Sequence, residues 1–512
     1  MQPERNELKI GVVLNYINLG MGNLIPFLYT PIMLRILGQQ EYGLFKLSSV
    51  ATSYLGLISL GLGTAITRYL VKAKTEEGKS AEENMLGLFL FIFRFIAVLS
   101  FIIGVILALN LDIWYSEALT NEEMRRMELL VLIMVCNTAF SFSVAPYMSV
   151  VTVHERFVFI QCMGILTSII TPLLNLVILF LGYKSVGLAI CSLFIAVLSR
   201  VIYYYYVKHS LKIEPKYQRI STRLLKEILS FSFWIFVANI VSKLYSATDT
   251  MMIGAIPSLA VVGVAIYNIG IILDGMISSM TLGVSGMLSP RINRMVFSGA
   301  SGEELTDYAI LVGRLQCYIV TLLVGGFIVF GKPFLHFYLG DDYLDSYGVT
   351  LFISIPKIIV LSQSVCLAIV VAKKQHRFRS LVYLLIAILN VIGTWFVLPF
   401  WGVKGAAFMS GISFFLGHGI IMNWYYWRKT GLNIIRFWKQ ILKTFIIPIL
   451  LSVVFIPISS FVDLYNFYYL LIAMLLFAVV VFFMQWHFVL NQYEKSLLLT
   501  PLRKMKRYNN NI

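Results

Sequence analysis

Apolar runs long enough to cross a bilayer recur from one end of this chain to the other, and no other feature limits its fold as strongly. They occupy residues 10–34, 44–70, 85–110, 129–153, 157–181, 185–207, 228–256, 264–289, 308–331, 347–372, 380–399, 403–427, 440–462 and 465–490. A hydrocarbon core about 30 Å thick needs about 20 apolar residues in helical form. Lipid offers no hydrogen bonds, so each run must satisfy its own backbone amides and is expected to be helical. With 59% hydrophobic and 13% charged residues, a water-soluble chain of 512 residues is excluded. The expected fold class is all-α and polytopic, with about 14 transmembrane helices. Pro26, Pro31, Pro146, Pro172 and Pro356 fall inside runs and are expected to kink them.

The net charge of +16 would suggest nucleic acid on a soluble protein. Here the bases sit in short loops that alternate in charge. One set holds Lys72, Lys74, Lys79, Lys208, Lys212, Lys216, Arg219, Arg223, Lys226, Lys373, Lys374, Arg377, Arg379, Arg428, Lys429, Arg436, Lys439, Lys443, Arg503, Lys504, Lys506 and Arg507. The opposite set is acidic in places, with Asp112, Glu117, Glu122, Glu123, Asp341, Asp342 and Asp345. About 29 Lys and Arg lie on the first side and about 7 on the second. The positive-inside rule puts both termini in the cytoplasm, which demands an even number of crossings. The first apolar run follows a short polar segment with no cleavage signature, so it is expected to remain as a helix rather than leave as a signal peptide. The five cysteines, Cys136, Cys162, Cys191, Cys317 and Cys366, all lie in apolar runs without redox or metal-ligand spacing.

No loop exceeds about 20 residues, which leaves no room for a soluble catalytic domain. The longest basic loop, about 208–227, separates two halves that look alike. Gly63-Thr-Ala-Ile-Thr-Arg68 is matched by Gly286-Met-Leu-Ser-Pro-Arg291, and Arg94 in the next run by Arg314. Glu155-Arg156-Phe157 is matched by His376-Arg377-Phe378. Leu174-Asn175 with Gly187-Leu-Ala189 is matched by Leu389-Asn390 with Gly405-Ala-Ala407. Six helices separate the copies, so both insert in one orientation. Parallel repeats imply a pseudo-two-fold axis along the membrane normal. The expected organisation is an N-terminal six-helix lobe at 1–215, a second at 216–430, and helices 13 and 14 with a basic cytoplasmic tail at 431–512.

The stretch Leu34-Arg-Ile-Leu-Gly-Gln-Gln-Glu-Tyr-Gly-Leu-Phe45, followed by Leu60-Gly-Leu-Gly-Thr-Ala-Ile-Thr-Arg-Tyr69, resembles the N-terminal signature of the bacterial polysaccharide-biosynthesis transporters, the Wzx-type lipid-linked oligosaccharide flippases. Asp249-Thr-Met-Met-Ile-Gly254 and Tyr267-Asn268 resemble the second repeat of the same family. The resemblance covers about residues 10–430 and marks the multidrug/oligosaccharidyl-lipid/polysaccharide exporter superfamily better than it marks a substrate. It implies a two-lobed, MATE-like protein of the bacterial inner membrane. Such a protein moves an undecaprenyl-pyrophosphate-linked glycan to the outer leaflet by alternating access, for O-antigen, capsule or exopolysaccharide. The lipid-linked oligosaccharide and the phospholipid bilayer are its expected partners. A polysaccharide polymerase and chain-length machinery are further candidates, and nucleic acid is not expected.

Ionisable residues inside membrane spans are costly and by default mark a pathway. The spans hold Arg94, Arg200, Lys243, Arg314 and Lys357 against Asp249 and Asp274. An excess of base suits an anionic headgroup, since arginine forks onto phosphate oxygens and lysine offers a point charge. In the seventh run Ser232, Asn239, Lys243, Ser246 and Thr250 fall within about 60° of one another at 100° per residue. The first run has a similar face of Asn15, Asn18, Gly22, Pro26 and Tyr29. The substrate-binding candidates are Lys243, Asn239, Asp274, Lys357, Arg314, Arg94, Asn15, Asn18 and Asp249. Several have a plainer alternative. Arg200 sits where it can snorkel. Arg94 and Arg314 are open between snorkelling or structural pairing and a cavity role, and Asp274 between a pathway and a partner for a buried base. Asp249 lies about 120° round the helix from Lys243 and is a poor partner for it. Arg35 and Lys46, at the outer ends of the first two runs, are weak gate candidates.

Gly326-Phe-Ile-Val-Phe-Gly331-Lys332 imitates a phosphate-binding loop but continues into Pro333 within an apolar run, so a nucleotide role is excluded. The six histidines are scattered, and no nucleophile motif is present, so no catalytic residue, metal or organic cofactor is expected. Coupling to H+ or Na+ would fall to Asp274 or Asp249. A MATE-type multidrug or cation antiporter shares the expected fold but would want acid in the first helix, which has none after Lys9. A membrane glycan polymerase or ligase would want a large outer loop, which is missing.

Overall fold

The computed structural model describes residues 2–217, 222–373, 375–459 and 461–496. The tail bases at 503–507, Arg219 and Lys374 lie outside the described residues, as do the side chains of Ser246, His376, Arg377 and residues 284–290. All regular structure among the described residues is helical, as the absence of hydrogen-bond partners in lipid demands.

The chain divides into two compact units, Met1–Ala265 and Ile266–Ile512. The first contains α1 (Gln2–Leu37), α2 (Gln39–Ser53), α3 (Leu62–Glu76), α4 (Lys79–Leu109), the short α5 (Asp112–Tyr115), α6 (Asn121–Val153), α7 (Phe157–Phe180), α8 (Lys184–Tyr205) and α9 (Thr222–Gly254). The boundary falls within α10 (Ala260–Phe297). The second unit continues with α11 (Gly302–Tyr338), α12 (Ser346–Ser362), α13 (Ser364–Ala372), α14 (His376–Phe414), α15 (Asn423–Lys429), α16 (Ile434–Ser459) and α17 (Phe467–Phe488).

Among the described residues, twelve stretches are long and apolar enough to cross a membrane, or thirteen if α12 and α13, bent by 50°, form one broken span. The sequence reading expects fourteen. The difference arises because runs 380–399 and 403–427 lie in one continuous stretch, Phe378–Lys429, with no polar loop between them. Its backbone leaves helical geometry at Gly402, with φ 56° and ψ −145°, a region that a residue with a Cβ rarely enters. The second run is broken as well. Between α2 and α3 the chain makes a 3-10 turn, Tyr54–Ser59, and then two left-handed residues, Leu60 and Gly61. A Cβ on Gly61 would lie 2.8 Å from that of Ile235 on α9. The Leu60-Gly-Leu-Gly motif therefore marks a break within one apolar span, packed on a neighbouring helix.

The motif at 34–45 also has a mechanical explanation. Glu41, in the first turn of α2, is buried. Its two carboxylate oxygens accept from the Arg126 guanidinium and the Ser185 hydroxyl, with Lys184 Nζ 3.8 Å away. One acid thus ties the starts of α2, α6 and α8. Arg126 also holds Glu122 at 2.5 Å. Two residues on, Gly43 abuts α10 so closely that a Cβ would sit 1.8 Å from the Val261 carbonyl oxygen. At the opposite end of the unit, Lys74 approaches His154 Nδ1 at 3.3 Å, and His154 Nε2 lies 2.8 Å from the buried Glu82. Lys216 reaches Glu83 at 2.6 Å. Lys74 and Lys216, from the basic loops, therefore clamp neighbouring segments.

Replacing Gly43 by alanine forces two backbones apart and is expected to lower the thermal unfolding midpoint of the purified protein more than Glu41→Gln. The latter removes one charge-assisted contact, costing about 1.5–3 kcal/mol. A G43A midpoint equal to the parent's would refute the close approach.

Candidate functional site

The interface of α10 and α12 is a polar ladder. Ser346 Oγ donates to the Ile266 carbonyl at 2.8 Å. One turn further, Thr350 Oγ1 lies 3.5 Å from the Gly270 carbonyl and donates to Ser346 O at 2.8 Å. A third turn brings Ser354 Oγ within 2.9 Å of Asp274 Oδ1. The four-residue spacing on both helices keeps the rungs on one face. Gly270 permits the approach, since a Cβ there would meet Val349 Cγ1 at 2.4 Å. Small and hydroxyl residues serve this purpose between membrane helices, where backbones must come close and polar groups must find partners.

The ladder ends on a buried ion pair. Lys357 Nζ lies 2.5 Å from Asp274 Oδ2 and 5.9 Å from the centre of the Phe414 ring. Asp274 is buried, and the Lys357 side chain keeps 22% of its exposure. Lys357 follows Pro356 inside α12. The two candidates, read separately in the sequence, form one site. Any external cation at Asp274 would have to displace a tethered ammonium.

Arg314 is a second buried centre, and its role is pairing. Nε meets Glu494 Oε1 at 2.6 Å and Nη2 meets Glu494 Oε2 at 3.0 Å. Nη2 also donates to Tyr318 Oη at 2.7 Å and Val489 O at 2.8 Å, and Nη1 to Gln440 O at 3.3 Å. Glu494 accepts in addition from the Asn491 amide at 2.9 Å. All of these groups hold α11, α16 and the segment after α17 together.

The remaining candidates are in the first unit. Arg94, read as a base within a span, is exposed. It borders a cavity of about 250 Å³ with Tyr147, Tyr204 and Glu214, and its guanidinium is 5.7 Å from the Tyr217 ring. It differs from Arg314 because the polar segment after α8 folds back over α4. There the Lys216 amide donates to Glu83 O at 3.0 Å, and Gly87 lies against the Lys216 carbonyl. Asn239 is exposed and Lys243 half-buried, one turn apart on α9. Asp249 is buried, next to Thr248, whose hydroxyl is 2.8 Å from Tyr54 Oη. Asn15 is exposed on α1. Asn18 donates to Gln161 Oε1 at 3.0 Å and touches Gly164, so it serves the packing of α1 on α7.

Two of the five intramembrane bases, Arg314 and Lys357, thus carry a carboxylate partner. Sequence reading missed Glu494, which lies beyond the last apolar run, and Ser354, an ordinary residue in a span. The signal for Glu494 is a lone acid in a basic tail. The signal for Ser354 is the Ser346-Thr350-Ser354 spacing.

Residues 11–296, more than half the chain, match the model of the family described as "Polysaccharide biosynthesis protein". The chain belongs to this family. Its fold is that of the lipid II flippase MurJ in an inward closed conformation, with a TM-score of 0.74 at 14% identity, over 96% of this chain and 99% of that one. An inward-facing multidrug resistance MATE family transporter of the MOP superfamily matches with a TM-score of 0.60 at 13% identity, over 84% of this chain and 99% of the other. The MATE multidrug transporter DinF-BH gives 0.57 at 14% identity, over 82% of this chain and 96% of that one. At these identities the likeness is one of fold. No curated protein matches. The protein is a multi-pass membrane protein of this polysaccharide biosynthesis family, and these transporters share its fold.

Breaking a buried ion pair on one side costs about 3–5 kcal/mol, whereas replacing both partners leaves no orphan charge. Asp274→Asn and Lys357→Met should each destabilise the purified protein by about 3 kcal/mol, discounted for the residual exposure of the lysine. The double variant should lose at least about 1 kcal/mol less than the sum. Additive losses in a thermal or denaturant unfolding cycle would show that the two groups are not coupled.

Proposed function

We propose that this protein flips an undecaprenyl-pyrophosphate-linked oligosaccharide from the cytoplasmic to the outer leaflet, for O-antigen, capsule or exopolysaccharide synthesis. The family match over residues 11–296 carries this reading. The likeness in fold to a lipid II flippase over nearly the whole chain supports it. Alternating access between six-helix lobes at 1–215 and 216–430 would move the headgroup, with 431–512 as an appendage. Lys243 and Asn239 are the first residues we assign to the cargo, because they are accessible from their own unit and Lys243 carries charge that suits a diphosphate. Lys357, Asp274 and Arg314 fasten helices of the second unit through the pairs described above. Ion coupling would fall to Asp274 or Asp249, and at Asp274 it would have to work against the Lys357 ammonium.

Fourteen crossings with both termini in the cytoplasm complete the reading. The stretch Phe378–Lys429 has 52 residues. As one helix it would be ~78 Å long, more than twice a hydrocarbon core, so a reversal at Gly402 supplies two crossings. A MATE-type antiporter keeps the same fold but lacks support from the family description.

Deletion of the gene should make lipid-linked oligosaccharide accumulate on the cytoplasmic leaflet, measured by access of a glycan-specific lectin to everted membrane vesicles. Plasmid copies carrying Lys243→Ala or Asn239→Ala should restore transfer only partly. Normal leaflet distribution in the deletion strain would dispose of the proposal. Alkaline phosphatase fused after Glu117 or Asp342 should be active, and after Lys212 or Lys373 inactive. The reverse pattern would overturn the orientation.

A further inference from the structure

The second unit holds a cavity of about 680 Å³ that no step above uses. It lies where the first part of α11, the first part of α16 and the end of α17 converge. This end of the helices carries the basic connection with Arg428, Lys429, Arg436, Lys439 and Lys443. One wall is charged, with Arg314, Arg436 and Lys443. The other is apolar, with Ile446, Ile447 and Phe488.

The charges of that wall can be counted. Arg314 is neutralised by Glu494, which lies buried beneath it. Arg436 Nη2 lies 2.7 Å from Asp307 Oδ1, and both side chains are exposed. Among the described residues, the ion pairs of this unit leave Lys443 without a carboxylate. One positive charge is therefore uncompensated. On the apolar side Phe488 is 76% exposed and Ile446 55% exposed. An isolated phosphate or a soluble anion would gain nothing from those side chains. A molecule with one negative charge and hydrocarbon tails would use both walls. Basic pockets between helices on the cytoplasmic side are suited to anionic headgroups, since bases at that depth face a negatively charged leaflet.

We propose that this cavity binds one anionic phospholipid, with the phosphodiester at Lys443 and Arg436 and the acyl chains along Ile446 and Phe488. The bound lipid would bridge α11, α16 and α17 on the surface above the Arg314–Glu494 centre. The site is separate from Lys243 and Asn239 and serves whichever cargo the protein carries.

The test uses the purified full chain in detergent, probed with phosphatidylglycerol, phosphatidylethanolamine or inorganic phosphate and read by native mass spectrometry. Phosphatidylglycerol should bind at least about fivefold more tightly than phosphatidylethanolamine, and Lys443→Ala should remove about that factor. Lys443 is exposed, so K443A should keep the parent's thermal midpoint. Asp307→Asn frees Arg436 and should tighten phosphatidylglycerol binding. Ile446→Ser should weaken it, and inorganic phosphate should not displace it. Equal binding of the two lipids, unchanged binding in K443A, weaker binding in D307N or displacement by inorganic phosphate would each overturn the proposal.

Discussion

Hydrocarbon cannot accept or donate a hydrogen bond, and the protein's construction follows from that. Its spans are helices because a helix pairs every interior amide within itself. Departures from helix are few and local. At Leu60 and Gly61 a 3-10 turn and two left-handed residues interrupt the second run against α9. At Gly402 the chain leaves helical geometry within a 52-residue stretch. Between α12 and α13 the axis bends by 50° at Gln363. Glycine relieves the first two because a Cβ would be strained or would strike a neighbour.

The same solvent argument governs charge. A base inside a span costs several kcal/mol unless something answers it. Arg314 is answered by Glu494, and Lys357 by Asp274. Their pairing changes what an excess of intramembrane base means. A count of residues treats each as a free positive charge facing a pathway. Geometry turns two of them into neutral assemblies that fasten helices, and leaves Lys243 to represent the idea. Arg94, the counterpart of Arg314 in the other half of the sequence, has a different environment, facing a small aromatic-lined cavity. Similar sequence position in a repeat does not impose the same role.

The motifs by which this chain resembles its family are mechanical. In the segment 34–45, Glu41 ties three helix starts, Tyr42 is fully buried and Gly43 admits the α10 backbone. In the segment 60–69, Gly61 makes the break between α2 and α3. None of these residues is placed as a ligand for cargo. That explains why such motifs report membership of a family while saying little about substrate. A shared scaffold needs the same clamps whatever its members act on.

Hydropathy and loop charge were enough to determine an all-helical, many-spanning membrane protein. Both act along the chain, residue by residue, and need no knowledge of neighbours. The residues that bear charge within the spans were legible for the same reason: Lys243, Asp249, Asp274, Arg314 and Lys357 stand out against an apolar background. Their partners were not. Asp274 and Lys357 lie 83 positions apart, and Arg314 and Glu494 lie 180 apart. Helical periodicity places residues on a face but not opposite a particular face of another helix. The Ser346-Thr350-Ser354 ladder had a visible spacing, but which backbone it would meet depended on how closely Gly270 let two helices approach. Fold class is set by local interaction with solvent. The identity of each ion pair is set by long-range packing, and only the tertiary structure decided it.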